Sequence, residues 1–288
     1  MPELPEVEVL VRHLGPLLVN KMVRGVQIHR AKITRPTTAR RMREKLVGTK
    51  FKSITRRAKY MLFKMKPPGR ALAFMMIGHL GMTGRMYVQP AKQELPKHVA
   101  TVLEIGRNNF VFEDTRYFGR LSLDDKRLST LGPEPLEDKF NCQALRQALR
   151  QALRRSSQPI KVKLLDQSVV AGIGNIYASE SLFSAGISPC KAANRLINRQ
   201  CQALAVAIRE TLTEAIECGS TVPLDFAGTN RRDRLFYYGR ASDAPDYYEE
   251  RLKVYDREGE PCLKCTTSIC RIVQAGRATY FCPRCQRG

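Results

Sequence analysis

Apolar residues recur at helical spacing from the start of the chain. Val7, Leu10, Val11, Leu14, Leu17 and Leu18 share one stripe, which predicts an amphipathic helix. Pro5 suits its first position, and Glu6 and Glu8 then fall in its first turn, where carboxylates meet the positive end of the macrodipole. Over residues 22–123 the pattern shifts to short β-rich runs: "MVRGVQI", "YMLFKM", "ALAFMMI", "ATVLEI" and "FVFE", separated by Gly, Pro and charge clusters. These predict a β-sandwich or barrel. The stretch "LGPEPLEDKFN" at 131–141 carries turn residues and acids without apolar period, and reads as a linker. Beyond it the period is helical. "QALRQALRQALRR" at 143–155 puts Leu145, Leu149 and Leu153 on one face and Arg146, Arg150 and Arg154 on a neighbouring, solvated one, and Pro159 stops it. A longer helix is predicted over 191–217, with Leu196, Leu204, Ile208, Leu212 and Ile216 on one side and Gly219 as its end signal.

Composition adds a partner. The 288 residues, 43% hydrophobic, can bury sizeable cores and suggest two domains. Lys and Arg number 49 against 27 Asp and Glu, and the net charge of +22 is spread along the chain. Distributed cations suit a polyanion whose phosphates they neutralise with release of counterions, so nucleic acid is the first candidate. The apolar run at 71–77 is too short to cross a bilayer, and acids at the start contradict a signal peptide, so a soluble intracellular protein is expected. Four cysteines are scattered (Cys142, Cys190, Cys201, Cys218) and five crowd into the last 27 residues, which points to a metal site rather than a disulfide framework.

The spacing Cys262-x2-Cys265-x16-Cys282-x2-Cys285 can set four thiolates around one structural zinc ion. Between the knuckles, "RIVQAG" and "RATYF" read as two strands around Gly276, a zinc ribbon whose loop carries Arg277; Cys270 reads as a spare thiol. A redox role for the knuckles is the weaker alternative, because no βαβ pattern surrounds them. In "AGIGNIYASESLF" at 171–183, Gly172 and Gly174 precede Asn175 and a helical run. This is a phosphate cradle at a helix N-terminus, supported by Lys161 and Lys163, or else Asn175 is simply the N-cap. Lys59 stands beside Arg56 and Arg57, and by composition all three are phosphate-contacting or solvated cations. Met82, Arg116 and Phe118 lie in Gly-bounded turns; the apolar two are buried anchors or wedges between base pairs. The N-terminal helix leaves Pro2 and Glu3 unexplained.

Together these segments resemble the bacterial formamidopyrimidine-DNA glycosylase family, base-excision repair enzymes that remove oxidised purines such as 8-oxoguanine. The likeness runs through "PELPEVE" at 2–8, "RRAKY" at 56–60, "HLGMTG" at 79–84, "KH" at 97–98, "TRYFG" at 115–119, "LGPEPL" at 131–136, "AGIGNIYASESLFSAGISP" at 171–189 and the terminal "GRATYFCPRCQ". It implies an α+β fold: an N-terminal β-sandwich with flanking helices over 1–131, a linker at 132–141, a helix-two-turn-helix domain with a base-capping loop over 142–251, and a zinc-ribbon finger at 252–288, with DNA in the cleft between domains. It also implies a monomeric cytoplasmic protein, held to the nucleoid by damaged double-stranded DNA and carrying one structural Zn2+.

The resemblance further implies roles. Met1 is removed, and the secondary amine of Pro2 attacks the deoxyribose C1′, expels the damaged base and leaves an iminium that drives β- and δ-elimination. Such an amine must be neutral; an unperturbed α-amino group has a pKa of roughly 7.7–8.0, so a terminus near a positive helix end can be poised for attack. Glu3 matches the general acid/base, Lys59 the second catalytic amine, and Arg277 the arginine on the lesion phosphate. Glu6 is either a helper near the base pocket or a first-turn cap. Met82 fills the void left by the extruded base, Arg116 contacts the orphaned partner and Phe118 wedges the stack, while His98, Lys161 and Asn175 hold the DNA backbone. Three features depart from the family. Tyr117 stands where a second basic residue is common. Ser157 stands where a phosphate-contacting cation is usual, so that one DNA contact is either lost or moved to Arg155. The segment 219–251 is longer and rich in Arg and Tyr, which bears on base preference. Two rivals are an endonuclease VIII-like glycosylase for oxidised pyrimidines and a noncatalytic zinc-ribbon DNA-binding protein.

Overall fold

A computed structural model describes residues 2–124, 126–152, 157–217 and 252–287. Met1, Leu153, Arg154, Arg155, Gly219 and the 219–251 segment lie outside the described residues, so the expectations placed on them do too. The chain divides into two compact units, and residues 3–5 group with the second.

The described residues of the first unit form helix α1 (Leu4–Leu18) from Glu6 onward, helix α2 (Ala39–Leu46) and eight antiparallel strands. These are β1 (Gly25–Ile28), β2 (Lys50–Arg57), β3 (Tyr60–Lys66), β4 (Phe74–His79), β5 (Gly84–Pro90), β6 (Val99–Glu104), β7 (Asn108–Asp114) and β8 (Arg120–Ser122). They form two four-stranded sheets, ordered β1-β6-β7-β5 and β2-β3-β4-β8. Phe51 and Phe63 of one sheet meet Phe110 of the other with ring centroids 6.1 and 5.6 Å apart, and Val7, Leu10, Leu14 and Leu18 of α1 bury into the same core. A sandwich results, as expected. Each ring fully buried there is worth roughly 1.5–3 kcal/mol over leaving it exposed.

Several details differ from the pattern-based expectation. Leu17, assigned to the buried stripe, is exposed at the end of α1. Glu8 is an ion-pair hub rather than a helix-end charge: it joins Arg12 at 2.9 Å and Arg56 at 2.8 Å. Burial pushes its carboxyl up, but the two guanidinium groups outweigh burial and hold it below the usual range. Arg56, read as a phosphate-contacting or solvated cation, is therefore an internal tie between β2 and α1, and also donates to Ala58 O at 3.1 Å. Strand β2 escaped notice because it carries four cations and a register shift between Phe51 and Ser53 breaks its alternation. Helix α2 has only two buried side chains, Met42 and Leu46, one turn apart; Thr38 caps it by accepting from Arg41 N.

The second unit contains α3 (Cys142–Ala152), α4 (Ile160–Leu164), α5 (Asn175–Ser184), α6 (Asn198–Glu217) and a hairpin of β9 (Cys270–Gln274) and β10 (Arg277–Phe281). Leu145 and Leu149 of α3 are buried, while Arg146 is partly exposed. The long helix starts at Asn198, not near 191, and leaves Leu196 outside it. A 3₁₀ turn at Ala193–Arg195 passes into extended backbone at Leu196, and Gln200 Oε1 accepts from Ile197 N at 3.3 Å at the new start. Residues 132–141, expected as a linker, pack into this unit: Gly132 N donates to Gln167 O, Ala171 N donates to Pro133 O, and Phe140 is buried. The buried carboxylate of Glu180 in α5 accepts from the backbone N–H groups of Lys253, Val254 and Tyr255 at 2.8–2.9 Å. This ties the segment entering the hairpin to α5, and Phe183, Val254, Ile269 and Tyr280 close a small core there.

Candidate active site

In the second unit the N-terminus of α5 is where charge converges. Gly174 precedes the first helical residue, Asn175, and offers no side-chain cap of its own. The cap comes from Glu3. Its carboxylate accepts from Gly174 N at 2.6 Å and Ile176 N at 2.9 Å, with Tyr177 N at 3.4 Å. Three orphan amides of the helix start thus point at one anion, which the helix macrodipole also favours. A Cβ at position 174 would fall directly on the Glu3 carboxyl, so any side chain there would have to displace Glu3. Leu4 N donates to Gly172 O at 3.0 Å and fixes the following residue. The expected phosphate cradle at 171–183 is therefore corrected: the amides of Gly174, Ile176 and Tyr177 are taken by the Glu3 carboxylate, and Gly172 N donates to Gln167 Oε1 at 2.9 Å.

Lys161 requires a second correction. It is wholly buried and donates to Asn175 Oδ1 (2.7 Å), Ala278 O (2.8 Å) and Thr279 Oγ1 (2.7 Å). Three protons meet three protein acceptors, so none is left to meet a DNA phosphate directly. Burial, helped by the charge of Arg277, pushes its pKa down to about 8 against the upward pull of Glu3. Asn175, partly exposed, donates from Nδ2 to the same Ala278 O at 3.0 Å. Position 278, next to Arg277, is thus pinned to the start of α5. Arg277 is exposed and opens β10 instead of lying in the loop, which is the two-residue turn Ala275–Gly276, both at positive φ. Glu3, Lys161, Asn175 and Arg277 come together. Tyr255, which sequence reasoning passed over, is held to the same helix by its backbone N–H, which donates to Glu180 at 2.8 Å.

The hairpin's metal site fits zinc. Sulfur atoms of Cys262, Cys265, Cys282 and Cys285 all lie within 4.8 Å of one another, with Cys262–Cys285 at 3.9 Å and Cys265–Cys282 at 3.5 Å. Tetrahedral Zn–S bonds of ~2.3 Å require sulfurs about 3.8 Å apart. Backbone N–H groups of Lys264 and Cys285 donate to Cys262 and Cys282 sulfur at 3.4 Å, which orients these sulfurs and offsets the charge a thiolate ligand carries. Cys270 stays outside this cluster.

In the first unit, Pro2 and Glu6 are buried, and Lys59 is buried at the two-residue turn between β2 and β3. His79 is a residue that the sequence reading quoted but did not use. Burial first, then the charges of Lys59, Arg127 and Arg120, lower its pKa to about 4, so the imidazole is neutral at pH 7. Its Nδ1 accepts from Gly81 N at 3.0 Å, which places the ring proton on Nε2 as a donor beside three cations. His98 is partly exposed and its carbonyl receives Asp114 N–H at 3.0 Å. Met82 and Phe118, on separate loops, are 41% and 47% exposed, so neither is a buried anchor. Arg116 is exposed too and lies over the Phe118 ring at 5.1 Å.

Three family models match the chain: the formamidopyrimidine-DNA glycosylase N-terminal domain over residues 1–121, the H2TH domain of that glycosylase over 131–225, and the zinc finger found in FPG and IleRS over 259–288. A formamidopyrimidine-DNA glycosylase of Desulfitobacterium hafniense is 39% identical over 293 residues, covering 99% of this chain and all of the relative. One from Carboxydothermus hydrogenoformans is 35% identical over 287 residues, with both chains covered in full. Among solved structures, a mutant Lactococcus lactis FPG bound to Fapy-dG DNA aligns with a TM-score of 0.83 at 31% identity over both full chains. The Lactococcus lactis Fpg bound to abasic-site DNA aligns at 0.83 and 29%, over 99% of this chain and all of that one. No helix among the described residues is long and apolar enough to cross a membrane.

Proposed function

The chain belongs to the formamidopyrimidine-DNA glycosylase family, and on that premise we propose that Pro2, freed at its nitrogen by loss of Met1, is the nucleophile of a bifunctional glycosylase and lyase. It is a DNA glycosylase of base-excision repair with one structural zinc. The substrates are oxidised purines, 8-oxoguanine and formamidopyrimidines, in duplex DNA, and the enzyme works as a cytoplasmic monomer.

The neutral Pro2 amine attacks C1′ of the damaged nucleotide, and the C1′–N bond to the base breaks. The amine proton passes to the departing base, the C1′–O4′ bond then opens as O4′ takes up a proton, and the product is a cationic iminium that has no N–H proton to lose and so cannot become a neutral imine. This electron sink acidifies the C2′ proton; its removal expels the 3′ phosphate, and a second elimination expels the 5′ phosphate. Glu3 exchanges protons with the sugar and Lys59 supplies one during β-elimination. Arg277 holds the lesion phosphate, Lys161 positions Arg277 from beneath, and Asn175 and His98 contact the backbone. Met82 fills the space of the extruded base, Arg116 contacts the orphaned partner, and Phe118 wedges the stack. Glu6 supports the base pocket.

The observation that carries this reading is the Glu3 carboxylate fixed on the amides of Gly174 and Ile176. Glu3 follows Pro2 directly in the chain, so anchoring one constrains the other. Mass spectrometry of the purified active protein tests the premise: the mass without Met1 supports a proline nucleophile, and full retention of Met1 in an active preparation removes it.

A further inference from the structure

Asp114 closes β7 and is wholly buried. Its Oδ1 accepts from the Thr83 hydroxyl at 2.7 Å and from Arg116 N at 3.1 Å, and its Oδ2 accepts from Gly119 N at 2.8 Å. Thr83 follows Met82, while Arg116 and Gly119 bracket Tyr117 and Phe118. One carboxylate therefore ties together the two loops that carry the wedge side chains. The loops also touch through bare backbone: a Cβ on Gly81, at φ +68°, would lie 2.6 Å from Gly119 N and 2.7 Å from Phe118 C. Two cations complete the support, Arg30 over the Tyr117 ring at 5.1 Å and Lys32 over Phe118 at 5.9 Å. Tyr117 itself sits at φ +51°, a conformation that a side-chain-bearing residue keeps only when its surroundings enforce it.

We propose that Asp114 and Thr83 are positioning residues that make Met82 and the Arg116–Phe118 loop a single preassembled wedge for the base stack. The proposal rests on the wedge role given to those side chains under Proposed function and deepens it. Two loops entering a base stack independently would each lose conformational freedom on insertion, which slows extrusion. Joined in advance, they enter as one body.

Three variants test this. Thr83→Val removes the hydroxyl but keeps its shape, leaving the Asp114 bonds to Arg116 and Gly119 in place; Thr83→Ser restores the hydroxyl; Asp114→Asn removes one acceptor oxygen. Single-turnover excision of an oxidised purine from duplex DNA is compared with strand cleavage at an abasic site in single-stranded DNA, where there is no stack to open. A 2-aminopurine beside the lesion reports unstacking. For Thr83→Val, loss of a hydrogen bond to a charged group predicts about tenfold slower duplex excision and a smaller fluorescence rise, with single-strand cleavage unchanged. Thr83→Ser returns the duplex rate to within about twofold of wild type, and Asp114→Asn is at least as slow as Thr83→Val. Equal duplex rates for wild type and Thr83→Val, equal losses on both substrates, or no recovery with serine would each overturn the proposal. Borohydride trapping of the wild-type protein on abasic DNA runs alongside. Its failure removes the underlying proline mechanism, whereas trapping with an unaffected Thr83→Val removes the wedge coupling alone.

Discussion

The carboxylate of Glu3 lies 2.6 Å from the amide nitrogen of Gly174. A residue at one end of the chain is thereby the N-terminal cap of a helix 171 positions away. The same amides that bind anions at other helix starts here hold an acid in place beside Pro2.

Because a Cβ at position 174 would overlap that carboxyl, Gly174→Ala must displace Glu3. Misplacing a reacting group by an ångström costs about a hundredfold in rate. Single-turnover excision from an oxidised-purine duplex is expected to fall by that order while the protein keeps its zinc. An unchanged rate would mean that Glu3 does not need this anchor.

Lys161, with its pKa lowered to about 8, gives two pH responses of opposite sign. Above about 8 the side chain becomes neutral and loses one of three hydrogen-bonding protons, which loosens the strand bearing Arg277. DNA affinity is therefore expected to weaken as pH rises from about 7 to about 9. The folded pKa lies below the unfolded value of roughly 10.4, so the contribution to stability runs the other way: it increases as pH rises from about 8 towards about 10.4 and is lost as pH falls back through about 8. Fluorescence anisotropy and denaturant melts across pH check both, and Lys161→Met is expected to flatten each response.

The zinc ribbon makes a separable prediction. Cys282→Ser removes one of four thiolates and should cost zinc occupancy and DNA affinity, because Arg277 opens a strand of the same hairpin. The sandwich core around Phe51, Phe63 and Phe110 lies in the other unit and should keep its near-ultraviolet circular dichroism. Loss of both signals together would show that the two units do not fold independently.

Arg56→Met leaves the partly buried Glu8 with Arg12 alone among the described residues. A destabilisation of roughly 1–3 kcal/mol is expected at pH 7 in urea melts. The folded pKa of Glu8 is depressed, so its stabilisation is present above the unfolded value of about 4.3 and lost as pH falls through the folded one. The gap between variant and wild type should shrink under acid. A constant gap would assign the loss to packing of the Arg56 stem.

What the sequence revealed and what it hid follow from the range of the interactions. The α1 stripe, the sandwich strands rich in β-branched and aromatic residues, and the cysteine spacing are local patterns. Strand β2 was masked by its cations and by a bulge that breaks the period. Lys161 and Lys163 read as anion-binding support for the helix start, since nothing near them shows that the partners of Lys161 are Ala278 and Thr279, 117 and 118 positions away. Asp114 and Thr83 drew no attention for the same reason: one is an ordinary polar residue at a strand end and the other in a turn until the two loops are brought together. Pro2 and Glu3 became meaningful only through family resemblance, and the structure adds why Glu3 is held still.

The central claim, a covalent proline intermediate on oxidised-purine DNA, is tested most directly by borohydride trapping on duplexes with 8-oxoguanine or formamidopyrimidine opposite cytosine, compared with an oxidised pyrimidine and with an abasic site. The expected result is a stable protein–DNA adduct with both oxidised purines that disappears in Pro2→Gly. An adduct formed only with abasic DNA, or one that survives in Pro2→Gly, would contradict it.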